Sequence, residues 1–107
     1  MTPYQYIPNL AGVLDAIPAD SIVSKTLHQD GVSRAILFGF APGQELSEHS
    51  TPMAATIQIV AGVASITLGE DVFTAQPGTW IQMPPKLPHS IRAEAEPVVM
   101  LLTMVKV

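Results

Sequence analysis

The sequence predicts an all-β domain, an antiparallel barrel or sandwich with at most one short N-terminal helix. Ten prolines and seven glycines interrupt the 107 residues at short intervals, as a domain with many turns requires. From residue 22 onward the apolar residues recur with a period of two, which is typical of half-buried strands. About nine short strand-like runs follow one another at the spacing expected of a sandwich or barrel.

The first elements are predicted as a short helix followed by a hairpin. Asn9–Ile17 has its apolar residues at helical spacing, and Pro18 ends the helix. Ile22–Gln29 and Val32–Phe40 are predicted as paired strands. Asp30-Gly31 between them favours a type I′ turn, in which both central residues need a positive φ.

The rest of the chain is predicted as a loop followed by short strands. A polar loop runs from Ala41 to about Pro52. Turns rich in Gly, Pro and Asp separate the later strands, which are predicted at Ala54–Val60, Val63–Leu68, Val72–Ala75, Thr79–Met83, His89–Glu94 and Val98–Val107.

Composition indicates one folded domain, residues 1–107, with a core barrel at about 32–105. Hydrophobic residues make up 48% and charged residues 13%, a balance that excludes disorder. It also predicts that a second copy covers some apolar surface, so we expect a homodimer. No apolar run approaches the roughly 18 residues of a membrane span, and the N-terminus lacks signal-peptide features. The chain is therefore expected to be soluble and cytoplasmic, with no membrane partner.

Charge and cysteine content limit the partners further. The net charge is -4, and the five Lys and Arg residues are scattered, so nucleic-acid binding is not expected. The chain has no cysteine, so any metal must be held by imidazole, carboxylate, hydroxyl or water.

Two segments place a histidine at or near the junction of a loop and a strand. In the first, Gly43 is followed after five residues by His49, in the run His49-Ser50-Thr51-Pro52, and a strand then ends at Gly62. In the second, Gly78 is followed after five residues by Pro84 and then by His89. If both histidines point inward from adjacent strands, they can share a metal, because neutral imidazole is the commonest metal ligand.

These segments resemble the two motifs of the cupin superfamily, and the likeness covers roughly Val32–Val105. The matching residues are Gly43, His49, Gly62, Gly78, Pro84 and His89. The departures are Thr51 for the second His, Ala55 for the Glu, Lys86 for a Gly and Ala93 for an Asn. The resemblance implies a small single-domain cupin: a cupin-type antiparallel β-barrel, or jelly roll, with a degenerate first motif and half of the usual metal ligands.

The candidate metal ligands are His49 and His89. Water, substrate or one more side chain would complete the coordination of a divalent Fe, Mn, Ni or Zn ion. The alternative is a metal-free pair of histidines held by hydrogen bonds in a polar pocket. His28 is a candidate third ligand, although a solvated histidine is more common beside a hairpin turn.

The candidate substrate-pocket residues are Thr51, Gln82, Met53 and Trp80. Thr51 has the same strand parity as His49, but a Thr-Pro turn that shapes the loop explains it more simply. Met53 and Trp80 fit an apolar cavity or an ordinary core. Parity counted from Ala55 turns Gln58 outward.

Three functions remain open from the sequence. The first is a metal-dependent enzyme acting on a small molecule, such as a dioxygenase or isomerase. The second is a small-molecule binding module without chemistry, and the third is a structural dimer module with a vestigial metal site. A fold of this kind hosts many functions, so the site must decide among them.

Overall fold

Nine strands form the fold in residues 3–107, the part of the chain that this computed structural model describes. They are β1 (Ile22–Gln29), β2 (Ser33–Phe40), β3 (Glu45–His49), β4 (Ala54–Ala61), β5 (Ala64–Leu68), β6 (Asp71–Ala75), β7 (Trp80–Met83), β8 (His89–Ala93) and β9 (Val98–Val105). The predicted domain start at residue 1 lies outside the described residues. No helix in this part of the chain has the length and apolar character needed to cross a membrane.

The strands form two antiparallel sheets, which confirms the all-β prediction. Within residues 3–107, one sheet has the order β1-β2-β9-β4-β7 and the other the order β3-β8-β5-β6. Their inner faces share one buried cluster, to which β4 contributes Ala55, Ile57 and Ile59. Gln58 between them is exposed, as strand alternation requires. The core therefore lies between the sheets, and each side chain's position follows from its register.

The predicted helix at Asn9–Ile17 is wrong in extent, because the structure has only a 3-10 turn at Leu10–Gly12. The Asn9 side chain caps this turn by accepting a hydrogen bond from the Ala11 amide at 3.1 Å. A helix this short is marginal, and Gly12 weakens it further. The apolar residues pack on the large sheet instead: a Cβ built at Gly39 would lie 2.8 Å from Leu14 Cδ1.

The hairpin between β1 and β2 is present, but the predicted type I′ turn is wrong. Among residues 3–107, neither Asp30 nor Gly31 has a positive φ. The Asp30 amide donates to the Ser33 carbonyl at 3.0 Å. Asp30 Oδ1 accepts from the amides of Val32 and Ser33, at 2.8 and 2.7 Å. The aspartate side chain thus closes the turn itself, and the freedom of Gly31 is not used.

Strand β3 lies inside the segment predicted as a polar loop. Only Leu46 of its five residues is half-buried, so the strand has no apolar alternation to reveal it. Within the described residues β3 pairs with β8 alone, at the edge of the small sheet. This polar edge strand matters because it ends at His49.

Candidate metal-binding site

His49 and His89 stand directly opposite each other on the neighbouring strands β3 and β8. They are register partners in the antiparallel pair. Their ring centroids are 4.2 Å apart, with the planes tilted by 57°. Cross-strand partners on one face are close enough for both imidazoles to reach a single ion.

The backbone determines which nitrogen of each histidine carries the proton. His49 Nδ1 lies 2.8 Å from the Ser47 carbonyl, and His89 Nδ1 lies 2.9 Å from the Leu87 carbonyl. A carbonyl only accepts, so each Nδ1 is the donor. In the neutral ring this leaves a lone pair on Nε2 of both histidines. A metal-ligating histidine is commonly oriented in this way, by a hydrogen bond from its other nitrogen.

The two histidines differ in their access to solvent. His89 is 4% exposed, and it also pairs with Leu68 of β5 on its other side. His49 is exposed at the end of an edge strand. The pair therefore joins a buried imidazole to an exposed one, so an ion or small molecule can approach from the His49 side.

A backbone hydrogen bond joins the two segments that carry the histidines. The Lys86 amide donates to the Thr51 carbonyl at 2.7 Å. Thr51 is two residues after His49, and Lys86 is three residues before His89. Lys86 adopts φ 70°, in the left-handed region, although it is not glycine. Its strained backbone thus holds the loop before β8 against the loop before β4.

The other positions of the resembled motif supply no strong ligand. Ala55 is buried on the inner face and has no donor atom. The Thr51 hydroxyl oxygen accepts a hydrogen bond from the Met53 amide at 3.2 Å, which forms a local turn. No group of three or more metal-ligating His, Cys, Asp or Glu side chains occurs in residues 3–107. The residues present therefore fit an ion held by two imidazoles, with its other positions open to water or a small molecule.

The four predicted pocket residues do not come together. Met53 lines a cavity of about 200 Å³ at the β1–β2 hairpin. Trp80 is 63% exposed, and Gln82 is also exposed. Both lie on the outer face of the large sheet, since Ile81 and Met83 take the inner positions of β7. Gln82 lines a separate cavity of about 120 Å³ with Thr56 and Thr103. The structure thus places Trp80 and Gln82 on the outer face and away from His49 and His89.

His28, the candidate third ligand, is bound elsewhere. Its Nε2 lies 2.9 Å from Asp30 Oδ2 at the exposed hairpin. The bond to His28 and those from the Val32 and Ser33 amides hold the pKa of Asp30 well below its usual range. His28 therefore serves the hairpin, and it is not placed with the pair of His49 and His89.

Arg34 does not stand out in the sequence as a functional candidate, because it is one of five scattered cations. It lines the same cavity as Met53 and is half-buried. Its Nε atom is buried and has no hydrogen-bond partner among residues 3–107. Strand alternation could have indicated its position, because Arg34 lies on the same face of β2 as Ile36 and Phe38, which point to the core.

Comparisons with known proteins agree with this architecture. A conserved protein of unknown function from Streptococcus pyogenes is 31% identical, with a TM-score of 0.85, over 99% of this chain and 91% of that one. A cupin superfamily protein from Desulfitobacterium hafniense is 24% identical, with a TM-score of 0.87, over 98% and 94%. A cupin 2 conserved barrel domain protein from Leptotrichia buccalis is 28% identical, with a TM-score of 0.83, over 90% and 46%.

A search of curated proteins found no match. The cupin domain profile matches residues 36–105, which run from within β2 to the end of β9 and include His49 and His89. The match covers about two thirds of the chain, including most of both sheets. This chain belongs to the cupin domain family.

Proposed function

We propose that this cupin binds a divalent metal ion through Nε2 of His49 and His89. The observation that supports it is the matched hydrogen bonding of the pair, in which each Nδ1 donates to a carbonyl two residues earlier. Both lone pairs are thereby left on adjacent rings 4.2 Å apart. Imidazole suits Fe, Ni and Zn better than Mn, which prefers oxygen ligands.

The finer proposal is a metal-dependent enzyme acting on a small molecule, as a dioxygenase or isomerase. A two-histidine site keeps several coordination positions free, and catalytic metal sites keep such positions. A bound ion there would polarise a carbonyl or phosphoryl oxygen of the substrate. His89 would anchor from the buried side, while exposed His49 would face the incoming molecule.

A second candidate is a binding module without metal or chemistry. The observation that favours it is the loss of donors where the family has ligands, at Thr51 and Ala55. The Thr51 hydroxyl serves a local turn, and Ala55 belongs to the core cluster. In this case the two lone pairs would accept hydrogen bonds from a small polar ligand.

The deciding experiment measures metal content in protein purified without an affinity tag, before and after reconstitution with Fe(II), Ni(II) or Zn(II). We expect about one ion per chain. Each of His49→Ala and His89→Ala should remove it, and His28→Ala is the matched control that should keep it. Less than about 0.2 ion per chain after reconstitution would contradict metal binding and favour the binding module without metal.

The His49 variant gives the clearer result, because that side chain is exposed. Its removal is expected to leave the melting temperature of the metal-free protein unchanged. His89 is buried, so its substitution combines loss of the ligand with a packing defect. Retention of full metal content by a folded His49→Ala variant would show that the ion binds elsewhere.

A further inference from the structure

The cavity at the β1–β2 hairpin has the character of a second binding site. It has a volume of about 200 Å³ and includes Arg34 and Lys106 among its polar lining residues. Met53 and Met104 give it an apolar side. None of these four side chains belongs to the proposed metal site.

Arg34 reaches this cavity from the inner face of the large sheet. It is the register partner of Met104, which packs against the core cluster. Its Nε atom is buried and has no hydrogen-bond partner in the described part of the chain. A guanidinium partly removed from water without an acceptor is unfavourable, so this group is suited to an anion that enters the cavity.

The carboxylate that lines the cavity is already engaged. Asp30 Oδ2 is bonded to His28, and Oδ1 accepts from the Val32 and Ser33 amides and from the Ser33 hydroxyl. Within residues 3–107, neither Arg34 nor Lys106 is within ion-pair distance of a carboxylate. Two cations, Arg34 and Lys106, thus meet one carboxylate whose oxygens are occupied, and the cavity is left electropositive.

We propose that this cavity binds the carboxylate of a small organic acid. Arg34 would hold the carboxylate, since the guanidinium fork matches its two oxygens, and Lys106 would add a second positive charge. Met53 and Met104 would contact the hydrocarbon part of the acid. At about 30 Å³ per water-sized group, the volume holds about six or seven non-hydrogen atoms. This inference does not depend on the metal.

The test is an NMR titration of the full chain with butyrate and with butyramide, its neutral isostere. We expect butyrate to shift the amide signals of Ser33, Arg34 and Met104, and butyramide to bind at least about tenfold more weakly, because a hydrogen bond to a charged group is lost. Arg34→Met should weaken butyrate binding by a similar factor. Arg92→Met is the matched control, because Arg92 is exposed on β8.

The outcomes separate this proposal from the metal site. Unchanged butyrate binding by His49→Ala supports a distinct site, whereas its loss overturns that assignment. Equal binding of butyrate and butyramide, or no effect of Arg34→Met, overturns the role of charge. Inorganic phosphate that binds at these amides in place of butyrate overturns the carboxylate assignment. Absence of binding by butyrate overturns the proposal.

Discussion

Lys86 adopts a backbone conformation that is unfavourable for a residue with a side chain. Its φ of 70° lies in the left-handed region, which glycine adopts freely and other residues adopt at a cost of about 1–2 kcal/mol. The resembled motif has glycine at this position. The conformation is held in place by the hydrogen bond from the Lys86 amide to the Thr51 carbonyl. The strain is therefore local, and a single substitution can relieve it.

We predict that Lys86→Gly raises the free energy of unfolding by about 1 kcal/mol, because relief of the strain exceeds the added entropy of the unfolded chain. Urea denaturation monitored by the fluorescence of Trp80 measures this. Lys25→Gly, in strand β1, is the control and should lower stability instead. A loss of stability in Lys86→Gly would show that the lysine side chain, and not the backbone, is what the loop requires.

The site residues differ in how far the sequence could predict them. The proximity of His49 and His89 could be predicted, because motif spacing is a property of the chain itself. Arg34 could not be predicted as a site residue, because a buried Nε atom and a cavity formed by three separate segments depend on tertiary packing. Trp80 was misplaced because an aromatic residue in a short strand gives no indication of which face it occupies.

At the scale of elements, the bend between β4 and β5 has the strictest steric requirement. Gly62 has φ 81°, and a Cβ at this position would lie 2.1 Å from the Pro97 carbonyl oxygen. The obstacle is backbone, so no rotamer change can relieve it. The backbone at this bend thus packs directly against the segment before β9, and only glycine leaves room for that contact.

Gly62→Ala is predicted to destabilise the fold by at least about 2 kcal/mol, from the positive φ and the backbone clash together. Chemical denaturation measures the loss. The matched control is Gly31→Ala, where no atom lies within 4 Å of an added Cβ, and its effect should stay within about 1 kcal/mol. Similar losses in both variants would contradict the steric argument.

Elements with apolar alternation could be predicted, and the others could not. β1 was predicted with its observed limits, and β4 to within one residue. β3 was missed because an exposed edge strand buries almost nothing on either face. The helix and the turn type were wrong for a related reason. The extent of the helix depends on packing against Gly39, and the turn type depends on hydrogen bonds to the Asp30 side chain. The spacing of apolar residues indicates neither.

At the scale of the molecule, the outer face of the large sheet has few charged residues, among them Lys25 of β1, the register partner of Leu37. Alternation from Ala55 and Ile57 assigns the outer-face residues of the four strands β2, β9, β4 and β7, and none of those residues in register is charged. Those that remain partly or fully exposed are Ser33, Ala35, Ala54, Thr56, Gln58, Trp80, Gln82, Leu101, Thr103 and Val105. Leu37, Gly39 and Val99 on the same face are already buried, and Leu14 and Ile17 of this chain lie over Gly39. Depletion of charge is typical of the centre of an interface.

We propose that two copies associate through this face, and light scattering coupled to gel filtration should then give twice the chain mass of 11.4 kDa. Thr103→Arg should shift the mass towards 11.4 kDa, because it would bury an unpaired charge at the interface. Thr67→Arg is the control, at a half-buried outer position of the other sheet. A wild-type mass of one chain would exclude this dimer.

The hydrogen bonds at His49 and His89 have a consequence for how the site could be transferred or altered. In each case the acceptor is the carbonyl two residues earlier in the same segment, Ser47 or Leu87. Each ring thus carries its own orienting group, and no distant carboxylate is needed to set it. Two paired antiparallel strands could therefore carry the same pair of histidines in another barrel. Residues around the pair can also be exchanged without changing which nitrogen of each ring has the free lone pair.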